Sequence, residues 1–219
     1  MGKLEQILKN AVVDASLLIG LSGAVSGCVA TRYVTSPNAP PIISDWMVSY
    51  DGAGKNRTSG PHKGIDIGGR GYFGHEIVAP ADGTVVSVDY SLTGGNHVKI
   101  YHGQDIDGKR ISTIYMHMQK QLVEEGQKVK RGQPIGLIGE TGSEITPGYP
   151  HVHFFVLYEN TDLSVPPRPD PHNYWFGIDE YKEELKKNPN ISPFVIPCFD
   201  TKSNYSEKPI RFTLPVKCK

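Results

Sequence analysis

Residues 83–118 read GTVVSVDYSLTGGNHVKIYHGQDIDGKRISTIYMHM. In this stretch, short β-branched runs alternate with turns rich in Gly and Asp, which is typical of antiparallel strands. No segment with helical periodicity interrupts these runs. Similar runs precede and follow the stretch, at Glu76–Pro80, Pro134–Ile138 and Val152–Tyr158. We therefore predict an all-β fold, an antiparallel β-sandwich or open barrel.

The composition excludes several classes of protein. The chain has 219 residues, of which 38% are hydrophobic, and this suits one packed domain with appendages. Lysine and arginine together number 23 and so do aspartate and glutamate, which gives a formal net charge of +0. Proteins that bind nucleic acids need a basic surplus to displace counterions from phosphates. We therefore expect no nucleic-acid partner.

The N-terminus has the features of an export signal. An apolar stretch of small residues, 15–27, follows a weakly basic start. It is shorter than the roughly 20 residues that cross a membrane, but it suits the apolar region of a signal peptide. Residues 25–28 read VSGC and resemble a bacterial lipobox, which implies that Cys28 is the lipidated first mature residue. We predict a signal peptide over 1–27, with an ordinary amphipathic helix as the alternative.

The remaining chain divides into three predicted segments. Residues 28–41 are polar and Pro-rich and are expected to form a tether, and 42–176 form the main domain. Residues 177–219 form a Pro-rich C-terminal extension with one short helix at Asp179–Lys187, where acidic residues begin and lysines end the segment. We expect the extension to pack on the main domain.

Two cysteines remain once Cys28 is assigned to a lipid. Cys198 and Cys218 are 218 − 198 = 20 positions apart, and they form an even pair that can close a disulfide. Disulfides persist outside the cytoplasm. Two unrelated buried thiols are the alternative interpretation.

Histidines occur in patterns that place several of them on one face of a sheet. His62 and Asp66 form an HxxxD spacing, and His151 and His153 are two apart on an apolar run. Side chains two or four apart on a strand point the same way. The run ISTIYMHM would likewise put Thr113, Tyr115 and His117 together.

Imidazoles and a carboxylate inside a sheet need a common partner, because buried unpaired polar groups cost several kcal/mol each. A zinc ion held by two histidines and one carboxylate keeps an open position for water. A metal site is therefore predicted, and a purely structural polar cluster is the alternative. His75, His97, His102 and His172 are assigned structural roles.

Five segments, in this order, resemble the lysostaphin-type zinc metallopeptidases, also called the LytM-domain family. The resemblance covers roughly residues 42–176 and implies the LytM type of all-β fold. The matching segments are PHKGIDIGGRG (61–71), IVAPADGTVVSV (77–88), STIYMHM (112–118), EGQKVKRGQPIGLIGETGS (125–143) and HVHFFV (151–156).

The resemblance implies roles for individual residues. His62, Asp66 and His153 match the zinc ligands, and His117 and His151 match the two catalytic histidines. The implied activity is cleavage of peptide bonds in peptidoglycan stems or cross-links, with one Zn²⁺ per chain. Tyr115, placed beside His117, is an accessory candidate that would brace the site or donate to an oxyanion.

Two departures from the family pattern affect substrate preference. Phe155 stands where the family often has an acidic or small residue, and residues 144–150 add length to the loop before HVH. A non-catalytic LytM-like module that binds peptidoglycan or activates a hydrolase is the main alternative function. A biotin- or lipoyl-carrier domain is a further alternative, but it leaves the HxxxD and HVH motifs unexplained.

The location follows from the same residues. We expect a bacterial cell-envelope protein attached to the membrane through the lipid on Cys28. Val29, in place of an aspartate, favours the outer membrane, facing the periplasm, if the source is Gram-negative.

Overall fold

A computed structural model describes residues 32–48, 61–105, 107–142, 147–159, 168–205 and 209–219. The predicted signal peptide and Cys28 lie outside the described residues. Within those residues, no helix is long and apolar enough to cross a membrane.

The described residues form twelve strands, one α-helix and a single-turn 3₁₀ helix, so the predicted all-β fold is confirmed. The runs at Glu76–Pro80, Pro134–Ile138 and Val152–Tyr158 each contain a strand, and the stretch 83–118 contains three. The helix α1 spans Ile178–Lys187 and the 3₁₀ helix spans Pro171–Tyr174. The strands are β1 (Tyr33–Thr35), β2 (Ile42–Ser44), β3 (Ile65–Gly68), β4 (Glu76–Val78), β5 (Gly83–Ser91), β6 (Gly95–Gln104), β7 (Arg110–Met118), β8 (Lys120–Gln121), β9 (Lys128–Val129), β10 (Pro134–Leu137), β11 (His151–Tyr158) and β12 (Phe194–Ile196).

The main sheet has seven antiparallel strands in the order β2-β3-β11-β7-β6-β5-β9. A second sheet has the order β4-β10-β8. Its Gly136 lies against the side chain of Met118 on β7, where a Cβ would clash with the methionine. Buried residues from both sheets form one core, which includes Ile65, Val98, Phe154, Ile77 and Ile135.

The predicted tether is folded where it is described. Strand β1 lies within it and pairs in parallel with β12, so Tyr33 lies opposite Phe194. Ala39 is buried, and the backbone N–H of Lys219 donates to the carbonyl of Asn38 at 3.0 Å. Residues 32–41 are therefore held by the C-terminal extension instead of forming a free linker.

The C-terminal extension packs on the main domain, as predicted. Phe212 and Leu214 are fully buried, and Val216 pairs with Ile77 of β4. Trp175, just before the predicted boundary after residue 176, pairs with Phe212 of the extension. The main domain and the extension are therefore packed against each other. Arg32–Lys219 consequently form one compact unit.

A disulfide joins Cys198 to Cys218, with the two Cα atoms 6.0 Å apart. Both cysteines pack against the hydrophobic core. The bond closes a loop of 20 residues near the end of the chain.

We expect the Cys198→Ser/Cys218→Ser double variant to lose about 3 kcal/mol of unfolding free energy, because the open loop raises the entropy of the unfolded chain. Urea unfolding, followed by tryptophan fluorescence with and without reductant, measures the loss. Reductant should destabilise the parent chain and leave the double variant unchanged. Equal denaturation midpoints for the parent and the variant would contradict a stabilising bond.

Candidate active site

His62 and Asp66 approach each other at the start of β3. The prediction that a strand runs through both residues is wrong, since β3 begins at Ile65 and His62 lies in the preceding loop. The side chains still converge, and His62 Nε2 lies 3.1 Å from Asp66 Oδ1. Both residues are buried.

Strand β11 brings the third residue of this group. It pairs with β3 so that His153 lies directly opposite Asp66, and directly opposite residues share a face of the sheet. His153 Nδ1 lies 2.8 Å from Asp66 Oδ1 and 2.9 Å from His62 Nε2. On the other face, Val152 and Phe154 enter the core.

The three atoms form a donor set that fits a divalent metal ion. Their separations of 2.8, 2.9 and 3.1 Å are close to the ~3.3 Å that separates two ligands of a tetrahedral zinc ion. His62 Nδ1 lies 2.9 Å from the carbonyl of Asp45 and can only donate there, which leaves a lone pair on Nε2 facing the carboxylate. Two acceptors at that distance need a cation or a proton between them.

Gly64 provides the space in which His153 lies. A Cβ on Gly64 would come within 2.6 Å of Cε1 and 2.8 Å of Nε2 of the His153 ring, and within 2.8 Å of the Phe154 carbonyl. Real side chains do not approach so closely, so the HxxxD segment needs glycine between His62 and Asp66.

A β-bulge in β7 turns His117 toward the same site. Tyr115 lies opposite Val98 and Met118 opposite Asn96, so two residues of β7 face one residue of β6. His117 has a φ of 61°, in the left-handed region, and its backbone N–H donates to the carbonyl of Gly94. The bulge reverses the alternation of side chains.

Tyr115 therefore does not share a face with His117, and the prediction that it does is wrong. Tyr115 lies opposite Phe154, packs against its ring at 5.5 Å and is fully buried in the core. Its hydroxyl lies 2.7 Å from Thr113 Oγ1. Burial raises its pKa above the ordinary value. Nothing in this placement gives Tyr115 access to the metal-site residues.

His117 and His151 lie side by side next to the donor set. Their rings are 5.0 Å apart, and the His117 ring is 6.2 Å from that of His153. His117 Nδ1 lies 2.9 Å from the carbonyl of Thr141, and His151 Nδ1 lies 2.9 Å from that of Tyr149. Each Nδ1 must carry a proton to donate to a carbonyl, so each Nε2 presents a lone pair.

Burial favours the neutral form of His117 and His153, and the surrounding imidazoles keep Asp66 ionised. Burial, together with the neighbouring His151, lowers the pKa of His117 to about 4, and burial lowers that of His153 to about 4 despite Asp66. Burial alone would raise the pKa of Asp66, but the imidazoles of His151, His153 and His62 hold it well below its ordinary value. Neutral imidazoles and an ionised carboxylate are the protonation states in which these groups bind metals.

Two residues outside the predicted set contact the imidazole of His62. Besides the carbonyl of Asp45, His62 Nδ1 has Ser44 Oγ at 3.3 Å. No motif in the sequence marks either residue, because they lie well before the HxxxD segment and reach it only through the pairing of β2 with β3. Phe155, the unusual residue after HVHF, is buried beneath the guanidinium of Arg168 at 4.1 Å.

Comparison with known families identifies this domain. Residues 60–165 match the family model described as peptidase family M23. The chain therefore contains a domain of peptidase family M23, the LytM type of metallopeptidase domain.

The relatives share this domain but are longer proteins. An uncharacterized metalloprotease of Haemophilus influenzae is 44% identical over 95 residues, which cover 43% of this chain and 18% of the relative. The murein hydrolase activator NlpD of Salmonella dublin is 37% identical over 134 residues, 59% of this chain and 32% of the relative. The peptidoglycan DD-endopeptidase ShyA of Vibrio cholerae is 35% identical over 122 residues, 53% of this chain and 26% of the relative. The chain thus spans no more than about a third of these relatives.

A solved structure is also similar. The crystal structure of a zinc containing peptidase from Vibrio cholerae matches 63% of this chain and 38% of that chain, with 32% identity and a TM-score of 0.46.

We expect Gly64→Ala to weaken metal binding at least tenfold, because the added methyl group displaces the His153 ring. Titration with Zn²⁺ against a chromophoric chelator measures the affinity. Gly94→Ala is the matched control, since its Cβ meets Met116 Sδ at 3.0 Å and Ser91 Oγ at 3.1 Å, side-chain atoms that can shift. Unchanged zinc affinity in Gly64→Ala would show that His153 is not a ligand.

Proposed function

We propose that this protein is a zinc-dependent endopeptidase that hydrolyses peptide bonds in peptidoglycan stems or cross-links. The observation that supports it is the convergence of His62, Asp66 and His153 beside two further imidazoles whose Nδ1 atoms face backbone carbonyls. His62, Asp66 and His153 would hold the zinc ion. The similarity to a peptidoglycan endopeptidase indicates the class of substrate.

The chain's own residues supply proton transfer and orientation. When bound, zinc lowers the pKa of a coordinated water toward 7 and polarises a carbonyl. The Nε2 atoms of His117 and His151 are positioned to accept the proton of the attacking water and to return one to the leaving amine. The hydrogen bonds from their Nδ1 atoms to Thr141 and Tyr149 fix the two rings in the required tautomer.

Activation of a partner hydrolase is the second candidate function. It is favoured by the similarity to the activator NlpD. The presence of all five site residues, with ligand atoms at coordination distances, favours catalysis by this chain.

The proposed location follows from the proposed substrate. A peptidase of peptidoglycan works in the bacterial cell envelope. Lipidation of Cys28 would keep it attached to a membrane there. In a Gram-negative source, Val29 favours the outer membrane, facing the periplasm.

Two kinds of variant should separate the loss of bound zinc from the loss of activity. Asp66→Ala should lose both bound zinc and activity. His117→Ala and His151→Ala should keep one zinc per chain and lose roughly 10²–10⁴-fold in activity, the usual contribution of general acid–base catalysis. Metal content and the rate of peptide release are measured on the same samples. His75→Ala, whose imidazole bonds the Lys217 carbonyl outside the site, is the control and should retain activity.

Digestion of purified sacculi separates the two candidate functions. The zinc-loaded chain alone should release soluble muropeptides, which mass spectrometry identifies by the bond cut, and a chelator should stop the release. Hydrolysis that persists in the metal-free chain would refute zinc catalysis. No release by the zinc-loaded chain, with stimulation of an added murein hydrolase, would establish the activator function instead.

A further inference from the structure

Three hydrogen bonds to residues 45–48 hold His62 in place. His62 Nδ1 lies 2.9 Å from the Asp45 carbonyl, and the backbone N–H of Met47 donates to the His62 carbonyl at 2.6 Å. The backbone N–H of His62 donates to the carbonyl of Val48 at 3.0 Å. Residues 45–48 precede the part of the chain that matches the M23 family, so this support is not part of the matched domain.

The carboxylate of Asp45 joins these residues to the C-terminal side of the molecule. Its Oδ1 accepts the backbone N–H of Trp46 at 2.6 Å and lies 2.6 Å from Nε2 of His172. These two bonds fix the peptide whose carbonyl faces His62. His172 lies on the 3₁₀ helix, which follows the end of the M23 match.

The neighbours of His172 determine its tautomer. The indole N–H of Trp175 donates to His172 Nδ1 at 2.8 Å, and an indole nitrogen cannot accept. His172 Nδ1 therefore carries a lone pair, and its Nε2–H donates to Asp45. The ring is 2% exposed and stacks on Tyr33 of β1 at 3.7 Å, with an angle of 7° between the planes.

We infer that His172 and Asp45 are positioning residues for the metal site, acting through the carbonyl that holds Nδ1 of His62. Trp175 contacts His172, His172 contacts Asp45, and Asp45 contacts His62. Hydrogen-bond partners that orient a ligating imidazole fix its tautomer and raise its affinity for metal. The inference rests on the proposed function, in which His62 is a zinc ligand.

A purely structural role for His172 makes a different prediction. If the imidazole only fastened the extension to the main domain, its loss would lower stability and leave zinc affinity unchanged. His102 offers a matched control, since it is also a histidine with both ring nitrogens bonded: its Nδ1 lies 2.8 Å from the Asp82 carbonyl and its Nε2 lies 2.7 Å from Thr113 Oγ1. Neither partner belongs to the metal site.

The test compares His172→Phe with His102→Phe in the full chain. Each replacement keeps an aromatic ring and removes two hydrogen bonds. We expect His172→Phe to weaken Zn²⁺ affinity by about 10–100-fold, the usual effect of losing an orienting partner, and His102→Phe to bind Zn²⁺ like the parent. Urea unfolding of the metal-free proteins records the loss of stability separately. Equal zinc affinity in His172→Phe and the parent, or equal weakening in both variants, would overturn the inference.

Asp45→Ala and Asp45→Asn provide a second test at a less buried side chain. The alanine variant removes the acceptor and should weaken zinc binding as His172→Phe does, whereas asparagine keeps an acceptor oxygen and should restore much of the affinity. Parent-like zinc binding by Asp45→Ala would overturn the inference even if His172→Phe does not fold.

A readout on the metal-free protein separates this inference from the proposed function. Imidazole ¹⁵N NMR should show His62 protonated at Nδ1 in the parent and as mixed tautomers in Asp45→Ala. A parent that binds no zinc but shows this change refutes the peptidase proposal, and Asp45 then orients the His62 ring without serving a metal site. A parent that binds zinc, with an unchanged His62 tautomer in Asp45→Ala, refutes the positioning role alone.

Discussion

The pairing of β3 with β11 is the constraint on which the site depends. The register that places His153 opposite Asp66 also places Val152 opposite Ile67 and Phe154 opposite Ile65. One face of the pair is thus committed to the hydrophobic core and the other to the candidate metal-binding residues. A slip of one residue would exchange the two faces, burying imidazoles among isoleucines. The core therefore fixes the register, and the register fixes the site.

The bulge at His117 shows how the remaining imidazole is brought to that face. A non-glycine residue in the left-handed region costs about 1–3 kcal/mol, and the surrounding hydrogen bonds offset this cost. The backbone of His117 is bonded to Gly94, and its side chain to Thr141. Thr141 is itself bonded to the backbone of Asn96 and Met118. His117, the strained residue, is thus held in place by strands β6 and β7 and by the segment around Thr141.

Segments outside the matched domain complete the site. Residues 32–48 and the chain after residue 168 meet through the pairing of β1 with β12 and through the stacking of Tyr33 on His172. Residues 44–48 contact His62 through the Asp45 carbonyl, the Ser44 hydroxyl and the backbone of Met47 and Val48. The residues that match the M23 family supply the candidate metal-binding side chains, and the flanking segments contact one of them, His62.

The local pattern of the sequence determined the strands, the helix and the residue types of the candidate metal site, because strand periodicity and the HxxxD and HVH spacings depend on near neighbours only. It was wrong about the face of Tyr115 and about a strand through His62, because a β-bulge and a loop depend on distant partners. It likewise gave no sign that residues 32–41 pair with β12, or that Asp45 and His172 support His62. Those contacts join positions up to 161 residues apart, such as Tyr33 and Phe194, and only the packed chain brings such positions together.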